Sequence, residues 1–177
     1  MTDIAQASAP RSRMSVASVL DGIVAFCGII PYALVALVLR FVMARVFFLS
    51  GQSKIEGPSF PLNIQDIDLS VTLPTGLTDA TLRLFETKFA AVPLPSALLA
   101  YVFTYAEFIL PICLVLGFAT RFSALFLLLM TVVIQIFIAP EALWSTHVYW
   151  ASILLVLMSV GPGQVSIDHV IRYLHQK

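Results

Sequence analysis

The chain has 177 residues, 59% of them hydrophobic and 11% charged, with a formal net charge of zero and a mean hydropathy of +0.95. Soluble domains carry about 25% charged residues, so this composition excludes an ordinary water-soluble fold. Ten Lys and Arg balanced by ten Asp and Glu leave no basic face for a nucleic-acid backbone. Cys27 and Cys113 lie in apolar surroundings without a Cys-x-x-Cys spacing, which argues against a disulfide framework, a thiol oxidase or a thiolate metal site.

Residues 1–15 form a polar head that lacks the charged, apolar and small-residue order of a cleaved signal peptide, so the first span is expected to stay as an anchor. From Val16 the sequence is apolar but interrupted by Asp21, Gly22, Gly28 and Pro31. Residues 16–30 therefore read as a separate helix, against the bundle or the interface, ended by Pro31. Four runs are long enough to cross about 30 Å of hydrocarbon at 1.5 Å per residue: 31–50, 96–120, 122–139 and 144–160. The fold class is thus all-α, a membrane four-helix bundle with an extra N-terminal helix, and residues 16–177 read as a single membrane domain.

The 51–95 loop is too long for a plain turn and should carry structure of its own. Gly57-Pro58 and Pro61 break any helix there, and Leu69, Val71 and Leu73 alternate with Ser70 and Thr72 as a short extended piece. Thr78 is placed to cap a helix with Leu82, Phe85 and Phe89 on one face and Arg83 and Glu86 on the other. Such a helix either floats in the outer leaflet or covers a site in the bundle. After the last span, Gly161-Pro162-Gly163 ends the helix, Ser166 can cap another, and Ile167, Val170, Ile171 and Leu174 make the apolar stripe of an interfacial helix.

With four crossings, Arg11, Arg13, Arg121, Arg172 and Lys177 fall on one side and Lys54, Arg83 and Lys88 on the other. The positive-inside bias then puts both termini in the cytoplasm and the 51–95 loop on the opposite, exported side of the membrane.

Ionisable groups within spans are costly and mark pairs or pathways. If Ser50 is level with Ala97, antiparallel helices set Arg40 and Glu107 at similar depth, as an ion pair. Pro111 adds polarity there, because its missing N–H leaves the Glu107 carbonyl without a helical partner. Arg45, Lys54, Gln135 and His147 gather at the outer end, extended by Ser50, Tyr101, Tyr105 and Trp150. Each has a plainer role: Arg40 and Glu107 fixing helix register, Arg45 snorkelling outward, His147 and the aromatic residues resting at the headgroups. His169 and His175 lie beyond the last span, which excludes a bis-histidine haem within the bundle, and no other His, Cys and carboxylate spacing suits a metal.

Leu39-Arg40-Phe41, followed by Val46-Phe47-Phe48-Leu49-Ser50-Gly51-Gln52-Ser53-Lys54, resembles the first-helix signature of the DoxX family, an arginine and a Ser-Gly-x-x-Lys helix end. Phe85-Glu86 before Val92-Pro93-Leu94-Pro95, Ala106-Glu107 with Leu110-Pro111, Leu116-Gly117-Phe118-Ala119-Thr120-Arg121, Met130-Thr131-Val132-Val133-Ile134-Gln135, His147, Trp150 and the run Gly161 to Asp168 resemble the same family. The resemblance spans residues 37–171 and implies four helices in a small inner-membrane protein akin to the membrane subunit of thiosulfate:quinone oxidoreductase and to a factor for methylamine dehydrogenase maturation. It implies a redox subunit whose Arg45, Lys54, Gln135 and His147 would hold a quinone headgroup, with Glu107 and His147 as proton-handling groups. The alternative is a non-catalytic anchor or assembly factor for a soluble or periplasmic redox or metal-handling partner. A solute or proton conduit around Arg40 and Glu107 ranks last, because four helices are few for a transporter unless the chain forms a homo-oligomer. Fold likeness supplies no substrate.

Overall fold

Each of the four long apolar runs becomes a helix, because a backbone in hydrocarbon must satisfy its hydrogen bonds within its own segment. The structure, a computed structural model, describes residues 16–60, 63–64, 67–68 and 71–176, with side chains described for 20–60 and 71–176. The chain divides into two units, Met1–Pro31 and Tyr32–Lys177.

In the first unit α1 spans Val16–Cys27. Three residues fewer are helical than the sequence predicts, since the chain leaves the helix at Gly28 and passes through tighter turns from Ile29 N to Phe26 O and from Ile30 N to Cys27 O. Glycine weakens the helix end, and the residue before Pro31 is driven out of helical geometry.

The second unit holds the bundle. Helices α2 (Tyr32–Gln52), α4 (Ser96–Leu116) and α5 (Thr120–Phe137) are three of its spans. The fourth, Pro140–Ser159, opens with a 3-10 turn at Pro140–Ala142 and a π turn at Leu143–His147 before α6 (Val148–Ser159). Helix α2 lies on α4, α5 on α6, and contacts from α4 to α5 and α2 to α6 close the ring. The core is Met43, Phe47, Leu114, Leu127, Leu154 and Leu157. Only 28%, 39%, 33% and 17% of the four span windows are buried by the protein, so most of their apolar surface, including Phe41, Ile109, Leu129 and Leu155, faces outward to lipid. The chain is a multi-pass membrane protein.

Between α2 and α4 the chain forms a long antiparallel ribbon and a helix. Strands β1 (Ile55–Glu56), β2 (Ser59–Phe60) and β3 (Asn63–Ile64) pair in nested order with β6 (Gly76–Leu77), β5 (Val71–Thr72) and β4 (Ile67–Asp68). The sequence predicts only one extended piece at 69–73, and residues 69 and 70 lie outside the described residues, as does Pro61. The ribbon was hidden because its pairs are two residues long, too short for an alternating pattern. Helix α3 (Asp79–Lys88) starts where predicted, with Thr78 Oγ1 accepting the Thr81 N–H at 3.1 Å. Its Arg83 and Glu86 are exposed, while Phe85 and Phe89 stack at 4.2 Å and meet Phe103 of α4 edge-on.

Helix α7 (Ile167–His175) is capped by Ser166, whose hydroxyl accepts the His169 N–H at 3.1 Å. Val170, Ile171 and Leu174 are exposed along one side, as an interfacial helix requires.

Candidate functional site

The register of α2 against α4 decides which charges meet. A Cβ at Gly51 would lie 3.0 Å from the Glu107 carbonyl carbon, so these two positions are level. Eleven residues back along α2, a Cβ at Gly117 would run into the Arg40 guanidinium. Arg40 and Glu107 are therefore about 16 Å apart along the bundle, eleven residues at 1.5 Å each. The expected Arg40–Glu107 ion pair does not form. Glu107 pairs with Lys54, and Arg40 donates from Nη2 to the Val165 carbonyl at 2.6 Å. The expectation failed because the first turns of α4 do not lie against α2 at all. Leu99, Ala100 and Phe103 are buried beside Phe85 and Phe89 of α3, which places Ser96 well beyond the end of α2.

Lys54 is held from both sides of its backbone. Its N–H donates to Gly51 O at 3.0 Å, and its carbonyl accepts from Thr78 N at 3.1 Å and Thr81 Oγ1 at 3.0 Å. Its ammonium donates to Ser50 Oγ at 2.9 Å and to Glu107, using two of its three protons. Glu107 is 3% exposed and Lys54 17%, so the pair is shielded on the carboxylate side and open on the ammonium side.

His147 reaches the same region from the π turn. Such turns widen a helix locally and re-aim the residue at their end. The ring is buried, packs 5.4 Å from Trp150, and places Nδ1 2.6 Å from Gln135 Oε1. Gln135 Nε2 donates to the Pro140 carbonyl at 2.8 Å, which leaves Oε1 as the acceptor facing His147. Nδ1 is then the protonated nitrogen of the neutral ring, and Nε2 is the free one.

These groups surround a cavity of about 250 Å³. Lys54, Ser50, Glu107 and His147 are its polar wall, Phe47 and Trp150 its aromatic side, and Phe85 of α3, with Phe89 just after it, covers it. Helix α3 thus packs against α4 with Phe85 over this cavity. Two predicted members are placed elsewhere. Arg45 is exposed and absent from the lining, because Met43, Ala44 and Phe47 turn inward and put it on the outer face of α2. Gln135 also stays out of the lining, its amide bonded to the His147 ring and to the Pro140 carbonyl. Tyr101 and Tyr105 stack on each other at 6.3 Å and do not line it either.

The Lys54–Glu107 pair is what residue spacing missed. Its signal was present in the apolar stripe of the Phe85 helix, which needed a partner and found one in Phe103 of α4. Among the described residues no cluster of three His, Cys, Asp or Glu is placed to hold a metal ion.

A protein-family model described as DoxX matches residues 35–140, from the first turn of α2 to the start of the 3-10 turn. Lys54, Glu107 and Gln135 fall inside that match, and His147 and Trp150 beyond it. No curated protein and no solved structure matches the chain.

Proposed function

We propose that this chain, which belongs to the DoxX family of membrane proteins, is the membrane subunit of a redox system and binds a quinone headgroup in the cavity beneath α3. The observation that carries the reading is the convergence of Lys54, Glu107 and His147, from three separate segments, on one apolar-walled space. At about 250 Å³ the cavity falls below the ~300 Å³ floor of typical ligand pockets, which suits a single substituted ring and excludes a large cofactor. A quinone supplies two-electron, two-proton chemistry, with the electrons exchanged with a soluble redox protein. The third ammonium proton of Lys54 is free to donate to a quinone oxygen. Nε2 of His147, with Nδ1 tied to Gln135, accepts a hydroxyl proton from the reduced ring or, once protonated, returns one. Glu107 holds the lysine in place.

Purification of the full chain in mild detergent, followed by solvent extraction and chromatography, tests this directly. A near-stoichiometric quinone is expected. A quinone-free protein that also fails to take up added short-chain quinone would hand the lead to the second reading, an anchor or assembly factor for a soluble partner. That reading has its own support in the β1–β6 ribbon, which presents an exposed Phe60 outside the bundle.

The orientation belongs to the same proposal: α3, the ribbon and the cavity toward the periplasm, α7 toward the cytoplasm, on the arginine and lysine bias. In a background with Cys27 and Cys113 replaced, Ser59→Cys should react with an impermeant thiol reagent in intact cells and Ser166→Cys should not. The reverse pattern would invert the topology.

A further inference from the structure

At the opposite end of the bundle from the cavity, a second cleft of about 340 Å³ lies between the α4–α5 turn, the Gly161–Gly163 turn and α7. Its lining is Ala119, Arg121, Pro162, Asp168, Ile171 and Arg172. We propose that this cleft binds the phosphate headgroup of an anionic phospholipid, with Arg121 and Arg172 as its two cationic jaws.

Three observations carry the assignment. The first is charge. Asp168 is the one carboxylate in the lining, and both its oxygens are already engaged, Oδ1 with Ala119 N at 2.8 Å and Oδ2 with Thr120 N at 2.9 Å. Its carboxylate is thus held by the backbone at the start of α5.

The second is preorganisation. Arg121 Nη2 reaches the Val160 carbonyl at 3.4 Å, and Arg172 Nε donates to the Asp168 carbonyl at 3.1 Å. Each bond uses one N–H and leaves the remaining donors of an exposed guanidinium for phosphate oxygens, which arginine binds in a forked geometry.

The third is depth. The turn between Leu116 and Thr120 is where two spans leave the hydrocarbon, and Phe118 and Phe122 beside it are exposed. Helix α7 presents Val170, Ile171 and Leu174 on one side and Arg172 on the other, the profile of a helix lying in the headgroup layer. A phosphate in the cleft would sit at the level its own bilayer provides, with Ile171 and Phe122 beside its acyl chains.

The test is lipid retention by the full chain in neutral detergent, read by native mass spectrometry and by thermal shift. Phosphatidylglycerol should bind and raise the melting temperature, and phosphatidylcholine should do neither. The R121Q/R172Q variant should lose roughly 30-fold in phosphatidylglycerol affinity, about fivefold for each cation near the surface. A wild-type protein that holds phosphatidylcholine equally well overturns the proposal, and this comparison stands whether or not the double variant folds. Equal retention by the variant overturns it too. If inorganic phosphate at matched concentration gives the full shift, the cleft is a soluble-anion site and the lipid assignment fails.

Discussion

Lys54→Met is expected to destabilise the bundle by about 3–5 kcal/mol, because it leaves a carboxylate that is 3% exposed without its counter-ion. Glu107→Gln should cost less, since Lys54 is 17% exposed and its ammonium can turn toward water at the mouth of the bundle. The double variant should be more stable than the sum of the two losses predicts, with a coupling of about 1–3 kcal/mol. Arg40 and Glu107 form the control. They stand on the same two helices about 16 Å apart along the axis, so Arg40→Met and Glu107→Gln should add to within about 0.5 kcal/mol. Chemical or thermal denaturation in detergent measures all of these. Additive losses for Lys54 with Glu107, or strong coupling for Arg40 with Glu107, would mean the α2–α4 register is wrong.

At the cavity, His147→Ala should lower quinone affinity by about tenfold or more, the worth of one to two hydrogen bonds in a desolvated site. Gln135→Leu should reproduce part of that loss without touching the ligand, because the imidazole would no longer be held in one orientation and one tautomer. Gln135→Glu keeps an acceptor for Nδ1–H but turns a second oxygen toward the Pro140 carbonyl, so it should recover only part of the loss. Protein levels in the membrane should be unchanged in all three, since Gln135 is half-buried and His147 lies at the edge of the core. Quinone titration of the purified variants is the measurement. Unaltered binding in His147→Ala would reduce Gln135, His147 and Trp150 to an interface belt.

What could be read from residues alone were the features set by local chemistry. Apolar length fixes a span, whatever surrounds it, because only a helix satisfies a backbone in lipid; α2, α4 and α5 begin within two residues of their predicted starts, and α2 and α5 end within two of their predicted ends, although α4 stops at Leu116, four residues early. Gly117 marks that stop, with a left-handed φ of 69° and no room for a side chain between Arg40 and Ser166. The caps at Thr78 and Ser166 were equally legible, since a side-chain oxygen bonding an N–H three residues on is a property of the short segment.

Which charges meet was a different kind of question. Arg40, Lys54 and Glu107 all carry the marks of functional groups, and helical spacing counted from Arg40 to Lys54, two residues past the end of α2, places both near one face. Only the docked position of α4 chooses between them, and that position is set by Phe85, Phe89, Leu99 and Phe103 packing far along the chain from either cation. Gln135 shows the same limit at smaller scale: its depth and polarity could be read from the sequence, but its direction depends on the π turn that brings Pro140 and His147 to its two ends. Sequence alone therefore determined the spans, their caps and the list of polar candidates, because each rests on interactions within a turn or two of helix. Tertiary structure alone decided the pairing of Lys54 with Glu107, the exclusion of Arg45 and the second-rank place of Gln135, because one sliding of α4 along α2 changes every long-range partner while leaving each helix intact.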